Sequence, residues 1–241
     1  MKGEGSGRLE EHSEYKLLAP EKSATIRDAE GKNEEYISSS TETGVGSAVL
    51  FFSDAALEQL KRDVSPSPEG EGEGKNWIST QDALSTLLWS CIIHARSIAL
   101  GPQAERQTTN PKDPLASVSM FNAILNARGL LSPIPEAYTG NVLFVTKAFL
   151  PPSSLIFTQD NLSNLPQTVR ASINDLTSPL LKDKIAAVKN VDDIGRLVPS
   201  GYNSGDRNVG CSSWVRQRYY ELDWASVLGG RIQRMRWRRG Q

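Results

Sequence analysis

The chain has 241 residues, of which 38% are hydrophobic and 23% are charged, and its formal net charge is −1. This length suits one large domain or two small ones, and the near-neutral charge gives no reason to expect a nucleic-acid or membrane-surface partner for the whole molecule. No apolar run approaches the roughly 18 residues that a membrane span needs, and the first residues lack a signal-peptide pattern. We therefore expect a soluble, cytoplasmic protein with no nucleic-acid and no membrane partner.

The N-terminal region is polar, since residues 1–45 are rich in Glu, Ser, Lys and Gly. Such a segment buries too little apolar area to offset its ordering entropy, so we expect a largely extended or disordered connector. Residues 47–52 (SAVLFF) are apolar and β-prone, and they predict a strand. Ser53 then supplies an N-cap for a short amphipathic helix, DAALEQLKRD.

A long helical pattern follows a flexible surface loop, which is predicted over residues 65–75 (SPSPEGEGEGK). Ser79 and Asp82 fit a capping box at the start of the helix. The predicted apolar stripe consists of Leu84, Leu87, Leu88, Cys91, Ala95 and Ile98. Because Trp89 and Ile93 lie on the opposite side, we expect a helix that is buried nearly all round between two layers.

Two further strands are predicted over residues 116–128 and 141–150, and the loop between them contains Pro and Gly. Residues 161–188 carry two helical segments with an interruption near Pro179, and residues 208–215 are a last strand candidate. Strands that alternate with helices predict an α/β layered domain. A parallel sheet and a mixed sheet are both compatible with this pattern.

We expect three regions along the chain. The polar connector of residues 1–45 precedes an α/β domain of residues 46–230, which contains the flexible loop. Residues 231–241 form a basic tail with arginines interleaved with Met and Trp. A solvated terminus is expected there, because charges on a frayed end are weak evidence for a specific partner.

The cysteines and histidines give no catalytic or metal-binding constellation. Cys91 and Cys211 have no CxxC or Cys/His spacing, so neither a metal site nor a disulfide is indicated, and both are expected to be buried thiols. His94 lies at the margin of the apolar stripe, with no Ser, Asp or Glu arrangement that would make a triad. His12 lies among glutamates, which is typical of a solvated surface histidine. No catalytic residue and no metal ligand are therefore assigned.

Four stretches carry a family pattern when they are taken in order. Residues 77–97 (WISTQDALSTLLWSCIIHARS) are similar to isTnDALsAllWrsitrAR, and residues 126–141 (NARGLLSPIPEAYTGN) are similar to RxRlxPPlPxxYxGN. Residues 212–224 (SSWVRQRYYELDW) resemble [ST]SW followed by yxxDFG, and residues 11–20 (EHSEYKLLAP) resemble the connector HPEYKxLP. The chain thus resembles the fungal branch of the BAHD acyltransferases, the trichothecene 3-O-acetyltransferase-like group.

The resemblance implies an α/β fold like that of chloramphenicol acetyltransferase, a CoA-dependent acyltransferase fold with two domains and an active-site channel between them. In the family, a His of an H-x-x-x-D motif deprotonates an acceptor hydroxyl or amine, which attacks the thioester of acyl-CoA. Nearby donors then hold the oxyanion. Acyl-CoA is therefore implied as a co-substrate, and no other cofactor is implied.

Neither histidine of this chain has Asp four residues on, so neither His12 nor His94 matches the catalytic motif. In the family this motif precedes the connector that residues 11–20 resemble. The chain is therefore expected to be mostly the C-terminal of the two domains, incomplete, and inactive alone.

Two functions are compatible with this resemblance. The first is the C-terminal portion of a CoA-dependent acyltransferase that moves an acyl group to a hydroxyl or amine of a secondary metabolite. The alternative is a non-catalytic module, a pseudoenzyme, that binds CoA, an acyl ligand or a protein. The expected partners are acyl-CoA and a small-molecule acceptor, together with self-association through the exposed surface of a half-fold.

The resemblance assigns four residues. Ser212 and Trp214 match the residues that line the family's acceptor side. Asp223 matches the structural aspartate of the family's glycine loop, although Ala225 stands where that loop has a glycine. In the family this aspartate pairs with the arginine that Arg128 matches, so we expect a charge-assisted contact between Arg128 and Asp223.

Overall fold

A computed structural model gives the fold of the chain and describes residues 6–12, 14–19, 48–66, 77–100, 118–135, 138–156, 158, 163–199, 207–215 and 221–230. The chain divides into two compact units, residues 1–211 and residues 212–241. The predicted basic tail at 231–241 lies outside the described residues, as does most of the predicted loop at 65–75. The predicted limits of the connector and of the α/β domain stay a prediction.

The first unit contains four helices and five strands among its described residues. In chain order they are β1 (Tyr15–Leu17), α1 (Asp54–Val64), α2 (Thr80–Leu100), β2 (Ser119–Asn126), β3 (Leu143–Leu150), α3 (Asn164–Asn174), α4 (Ser178–Lys189), β4 (Leu197–Pro199) and β5 (Asn208–Cys211). The second unit contains the short helix α5 (Ala225–Leu228). Within the described ranges, 3-10 turns lie at Leu9–Glu11, Pro152–Leu155 and Ile194–Arg196.

The predicted strand at residues 47–52 is wrong. The described part of this stretch lies in no strand, and Val49, Leu50 and Phe51 are 62%, 64% and 90% exposed. A strand needs a neighbour that accepts its backbone hydrogen bonds, and no described strand pairs with these residues. The helix that follows is confirmed, because the Ser53 hydroxyl accepts a hydrogen bond from the backbone N–H of Ala56 and caps α1.

A three-stranded mixed sheet forms the centre of the first unit, in the order β3-β2-β5. β2 pairs antiparallel with β3 over its whole length, from Ser119 opposite Leu150 to Asn126 opposite Leu143. β5 pairs parallel with β2 on the other side, with Ala123 opposite Cys211. The sheet is therefore mixed, and the three strands fall within the stretches that the sequence predicted.

The main core lies between this sheet and the helices α2 and α3. Its buried side chains are Trp89, Ile93, Phe121, Ala148, Leu155, Leu165, Val169 and Val209. The Trp89 and Phe121 rings lie 5.5 Å apart between centroids, and the indole N–H of Trp89 donates to the hydroxyl of Ser119 at 2.7 Å. The side of α2 that carries Trp89 and Ile93 is thus the side that packs against the sheet.

The expectation that α2 is buried nearly all round holds only for its first half. Trp89 and Ser90 are buried, whereas Cys91, His94 and Ile98 are exposed. The prediction of a buried Cys91 thiol is therefore wrong. The predicted stripe fails beyond Leu88 because periodicity identifies the residues that share a face, while neighbouring elements decide whether that face is covered.

The described N-terminal residues 6–12 and 14–19, here called the strap, lie against α4 and β4. β1 pairs antiparallel with β4, from Tyr15 opposite Pro199 to Leu17 opposite Leu197. His12 is only 3% exposed, so the prediction of a solvated surface histidine is wrong. Its glutamate neighbours suggested a polar surface, but its partner Asp183 follows much later in the chain.

Candidate functional site

Ser212 and Trp214, the predicted acceptor-side residues, come together in the second unit. The indole Nε1–H of Trp214 donates a hydrogen bond to the Ser212 hydroxyl oxygen at 3.0 Å. Ser212 is exposed, and Trp214 is 38% exposed. A hydroxyl that accepts one hydrogen bond keeps its own hydrogen for donation, so Ser212 can donate to an oxygen of a bound molecule.

Cys211, the last residue of β5, directly precedes Ser212 and belongs to the first unit. Gln81 Nε2 lies 3.6 Å from the Cys211 sulfur, and the Ser85 hydroxyl lies 3.9 Å from it. Burial raises the pKa of the Cys211 thiol, while hydrogen bonds from Ser85 and Gln81 act in the opposite direction. The thiol is therefore held as a neutral, half-buried group and not as an activated nucleophile.

Sequence reasoning missed this polar cluster around Cys211. The only local signal is the i,i+4 spacing of Gln81 and Ser85, which places both on one face of α2, and Gln81 Nε2 donates to the Ser85 hydroxyl at 3.0 Å. The contacts with the sulfur join residues 126 and 130 positions apart. No helical or strand periodicity carries information over such a separation.

Arg128 braces the loop between β2 and β3. Its guanidinium donates to the Asn126 side-chain oxygen at 3.1 Å, to the Tyr138 carbonyl at 3.3 Å and to the Gly140 carbonyl at 2.7 Å. The five N–H donors of a guanidinium suit it to several acceptors at once. Arg128 thus has a structural role in the first unit, at the start of the Pro- and Gly-containing loop.

Asp223 has a local role in the second unit. Its Oδ1 accepts a hydrogen bond from the Ala225 backbone N–H at 2.9 Å, at the start of α5. A carboxylate at this position satisfies a donor that the helix itself leaves unpaired. Arg128 belongs to the first unit and Asp223 to the second, and their predicted ion pair stays a prediction.

The capping box predicted at the start of α2 is confirmed and extends into a buried ion pair. Asp82 Oδ2 accepts from the backbone N–H and hydroxyl of Ser79 at 2.6 and 2.7 Å. The same oxygen accepts from Arg170 Nε of α3 at 2.9 Å. Asp82 is 1% exposed, and the Arg170 guanidinium also stacks over the Trp77 ring at 4.6 Å. This network fixes the first turn of α2 against α3.

His94 takes no part in any of these networks. It is exposed on the second half of α2, and its carbonyl accepts from the Ser97 hydroxyl at 2.7 Å. Within the described ranges, no three His, Cys, Asp or Glu residues are arranged to hold a metal ion. A membrane-spanning helix, long and apolar enough to cross a bilayer, is also absent from the part of the chain that the structure describes.

A family model described as the Transferase family matches residues 18–227, which is most of the chain. The chain therefore belongs to this family, the BAHD acyltransferases, and has part of their CoA-dependent acyltransferase fold. Acyl-CoA is the co-substrate of the family's enzymes. The expected family and fold class are confirmed.

Individual relatives are compared with this chain by sequence identity and by the share of each length that is covered. The enoyl-CoA isomerase/hydratase claC of Penicillium crustosum is 30% identical over 54% of this chain and 13% of that protein. The eremophilane O-acetyltransferase ORF8 of Penicillium roqueforti is 27% identical over 75% of this chain and 36% of that protein. The structure of F. sporotrichioides TRI101 complexed with coenzyme A and T-2 has a TM-score of 0.57 and 17% identity over 76% of this chain and 38% of that chain. The chain thus spans well under half the length of these proteins.

Proposed function

We propose that this chain is the C-terminal portion of a CoA-dependent acyltransferase. The whole protein would move an acyl group from acyl-CoA to a hydroxyl or amine of a small-molecule secondary metabolite. The observation that carries the proposal is the family match over residues 18–227. The contact between Trp214 and Ser212 supports it, because these two residues match the acceptor side of the family's site.

In this proposal Ser212 and Trp214 bind and orient, while the base comes from elsewhere in the whole protein. The Ser212 hydroxyl, oriented by the Trp214 indole, donates to the oxygen that becomes negatively charged when the acceptor attacks the thioester. A general base typically contributes 10²- to 10⁴-fold to the rate, and neither His12 nor His94 is followed by the aspartate of H-x-x-x-D. We therefore propose that the chain alone is inactive.

A turnover assay tests whether the chain alone is inactive. The purified chain is incubated with acetyl-CoA and a panel of alcohols and amines, and the released CoA thiol is titrated, while calorimetry measures acetyl-CoA binding. We expect binding without thiol release above the rate of buffer alone. Release at a rate that Ser212→Ala lowers and the exposed control Ser226→Ala does not would contradict the proposed inactivity.

Sequencing the transcript tests whether the chain is a portion of an enzyme. We expect an in-frame upstream region that encodes H-x-x-x-D, and thiol release by the protein that carries both regions. A transcript that starts at Met1 would contradict the proposal and would favour a non-catalytic module that binds CoA, an acyl ligand or a protein. In that case ligand binding is the property to measure.

We also propose that the isolated chain associates with a second copy through its exposed apolar residues. Val49, Leu50 and Phe51 are consecutive and largely exposed, and such patches mark contact surfaces. Light scattering during size-exclusion chromatography should give an average mass that rises with concentration, and Phe51→Ser should lower that mass. A monodisperse monomer at every concentration would contradict this proposal.

A further inference from the structure

Helix α1 ends at a serine that precedes a proline, and the function proposed above does not use this segment. Ser65 is the C-cap of α1, with φ −72° and ψ 137°, and Pro66 follows it. The proline ring biases the preceding residue towards this extended conformation. Both residues are partly exposed. The segment therefore presents a serine hydroxyl on extended backbone, directly before a proline.

The Ser65 hydroxyl closes the last turn of α1. It donates a hydrogen bond to the Lys61 carbonyl oxygen at 2.6 Å, whereas the Ser65 backbone N–H reaches the Arg62 carbonyl oxygen at only 3.4 Å. Backbone hydrogen bonds are usually about 3 Å long, so the hydroxyl makes the stronger of the two contacts. The last carbonyls of a helix have no partner within the helix. The hydroxyl hydrogen of Ser65 therefore has a structural role at the end of α1.

The same turn carries the residue that joins α1 to the start of α2. Val64 is 1% exposed, and it forms a small apolar cluster with Ile78 and Ala83, against which Leu60 packs. Ile78 directly precedes Ser79, the capping residue of α2. Opening of the last turn of α1 would displace Val64, and this cluster would then lose its contact between the two helices.

We propose that Ser65 is a phosphorylation site for a proline-directed serine/threonine kinase, and that its phosphate opens the last turn of α1 and loosens α1 from α2. The Ser65 oxygen attacks the γ-phosphorus of ATP, and the bond from that phosphorus to the bridging oxygen breaks. ADP leaves, and the hydroxyl proton passes to the base of the kinase. The ester oxygen that remains has no hydrogen to donate to the Lys61 carbonyl. This proposal is independent of the acyltransferase function.

The charges around Ser65 favour opening of the turn. A phosphoserine carries about −1.5 to −2 charges at neutral pH, and such a group is disruptive at a helix C-terminus or beside an apolar contact. It meets the negative end of the helix dipole there. The two cations of the last turn offset this repulsion only in part, because they already have partners. Arg62 lies 3.8 Å from Glu58, and Lys61 Nζ lies 5.7 Å from the centre of the Trp77 ring.

Kinase treatment tests the site. The purified chain is incubated with ATP, Mg²⁺ and a purified proline-directed kinase, and phosphopeptides are mapped by mass spectrometry. We expect phosphate at Ser65, and several-fold less of it in Pro66→Ala. The matched control is Ser67→Ala, which removes the next serine that precedes a proline and should leave the phosphate at Ser65 unchanged. Phosphate that is absent from Ser65, or that Pro66→Ala does not reduce, would overturn the proposal.

Hydrogen exchange and thermal unfolding test the loosening of α1. In the chain phosphorylated at Ser65 we expect several-fold faster amide exchange over the last turn of α1, together with a lower Tm. The control Ser65→Ala, treated with kinase in the same way, should exchange alike before and after treatment. In Val64→Ala the apolar contact is already reduced, so phosphorylation should lower the Tm by less than in the wild-type chain. Exchange that phosphorylation leaves unchanged, or a Tm shift that stays as large in Val64→Ala, would overturn the proposed loosening.

Discussion

The two halves of helix α2 are both rich in apolar residues but have very different surroundings. The first half carries the capping box, the ion pair between Asp82 and Arg170, and the buried Trp89. The second half exposes Cys91 and the apolar Ile98, which is 68% exposed. Helical periodicity therefore defines a face of the helix, whereas burial of that face requires a neighbouring element.

The largest effect is expected at Trp89, whose side chain is fully buried. Trp89→Ala removes the contact with Phe121 and leaves a cavity, so it should lower the free energy of unfolding by about 4 kcal/mol. Ile98→Ala in the exposed half should change it by less than about 0.5 kcal/mol. Urea denaturation of both variants measures the contrast, and equal losses would show that the two halves are equally buried.

Substitution of Asp82 tests the polar contacts with Ser79 and Arg170 that hold the first half of α2. Asp82→Ala removes the cap at Ser79 and leaves the Arg170 guanidinium without its carboxylate, so we expect a loss of about 3 kcal/mol. The control Glu58→Ala breaks an exposed i,i+4 pair and should cost less than about 0.5 kcal/mol. If Asp82→Ala costs as little in the wild-type chain as in an Arg170→Met background, the ion pair does not stabilise the helix.

Substitutions in the predicted ion pair of Arg128 and Asp223 should have an effect of intermediate size on stability. If the pair forms, Asp223→Asn and Arg128→Met should each cost roughly 1–2 kcal/mol, and the double variant should cost less than their sum. Thermal unfolding of the three variants measures this coupling. Strictly additive losses would mean that each residue acts only through its local contacts, with the loop at Gly140 and the start of α5.

The smallest effect concerns thiol reactivity and leaves stability unchanged. Cys91 is exposed. Burial raises the pKa of the Cys211 thiol, so at neutral pH the reactive thiolate is a smaller fraction of Cys211 than of a thiol with the ordinary pKa. Alkylation by iodoacetamide, followed by mass spectrometry, should modify Cys91 first. The Cys211 rate should rise with pH as the thiolate forms, and a faster reaction at Cys211 than at Cys91 would contradict its shielding by α2.

Local signals in the sequence predicted the local structure well. The caps at Ser53 and at Ser79 with Asp82 are formed by residues within a few positions of each other, and both are confirmed. The interruption near Pro179 is confirmed too, since α3 ends at Asn174 and α4 begins at Ser178. In these places the interacting residues are close in the sequence, so a local pattern is sufficient to predict the contact.

Interactions between distant parts of the sequence account for the errors. The glutamates around His12 predicted a solvated side chain, but its partner Asp183 lies far away in the sequence, on α4. The composition of residues 47–52 predicted a strand, but composition does not show whether a partner strand exists. The surroundings of Cys211 were not predicted, because Gln81 and Ser85 are 130 and 126 positions away from it. A partner that lies more than a hundred residues away leaves no periodic signal.

The strap also has a consequence for the order of folding. Its hydrogen bonds with Asp183 and Asn190 close loops of 176 and 183 residues, and the entropy lost on closing a loop grows with its length. The capping contacts of α1 and α2 span only three residues, so they can form before any long-range contact. Docking of the strap should therefore be the last step of folding, after Trp89 has become buried, because it requires both α4 and β4 to be in place.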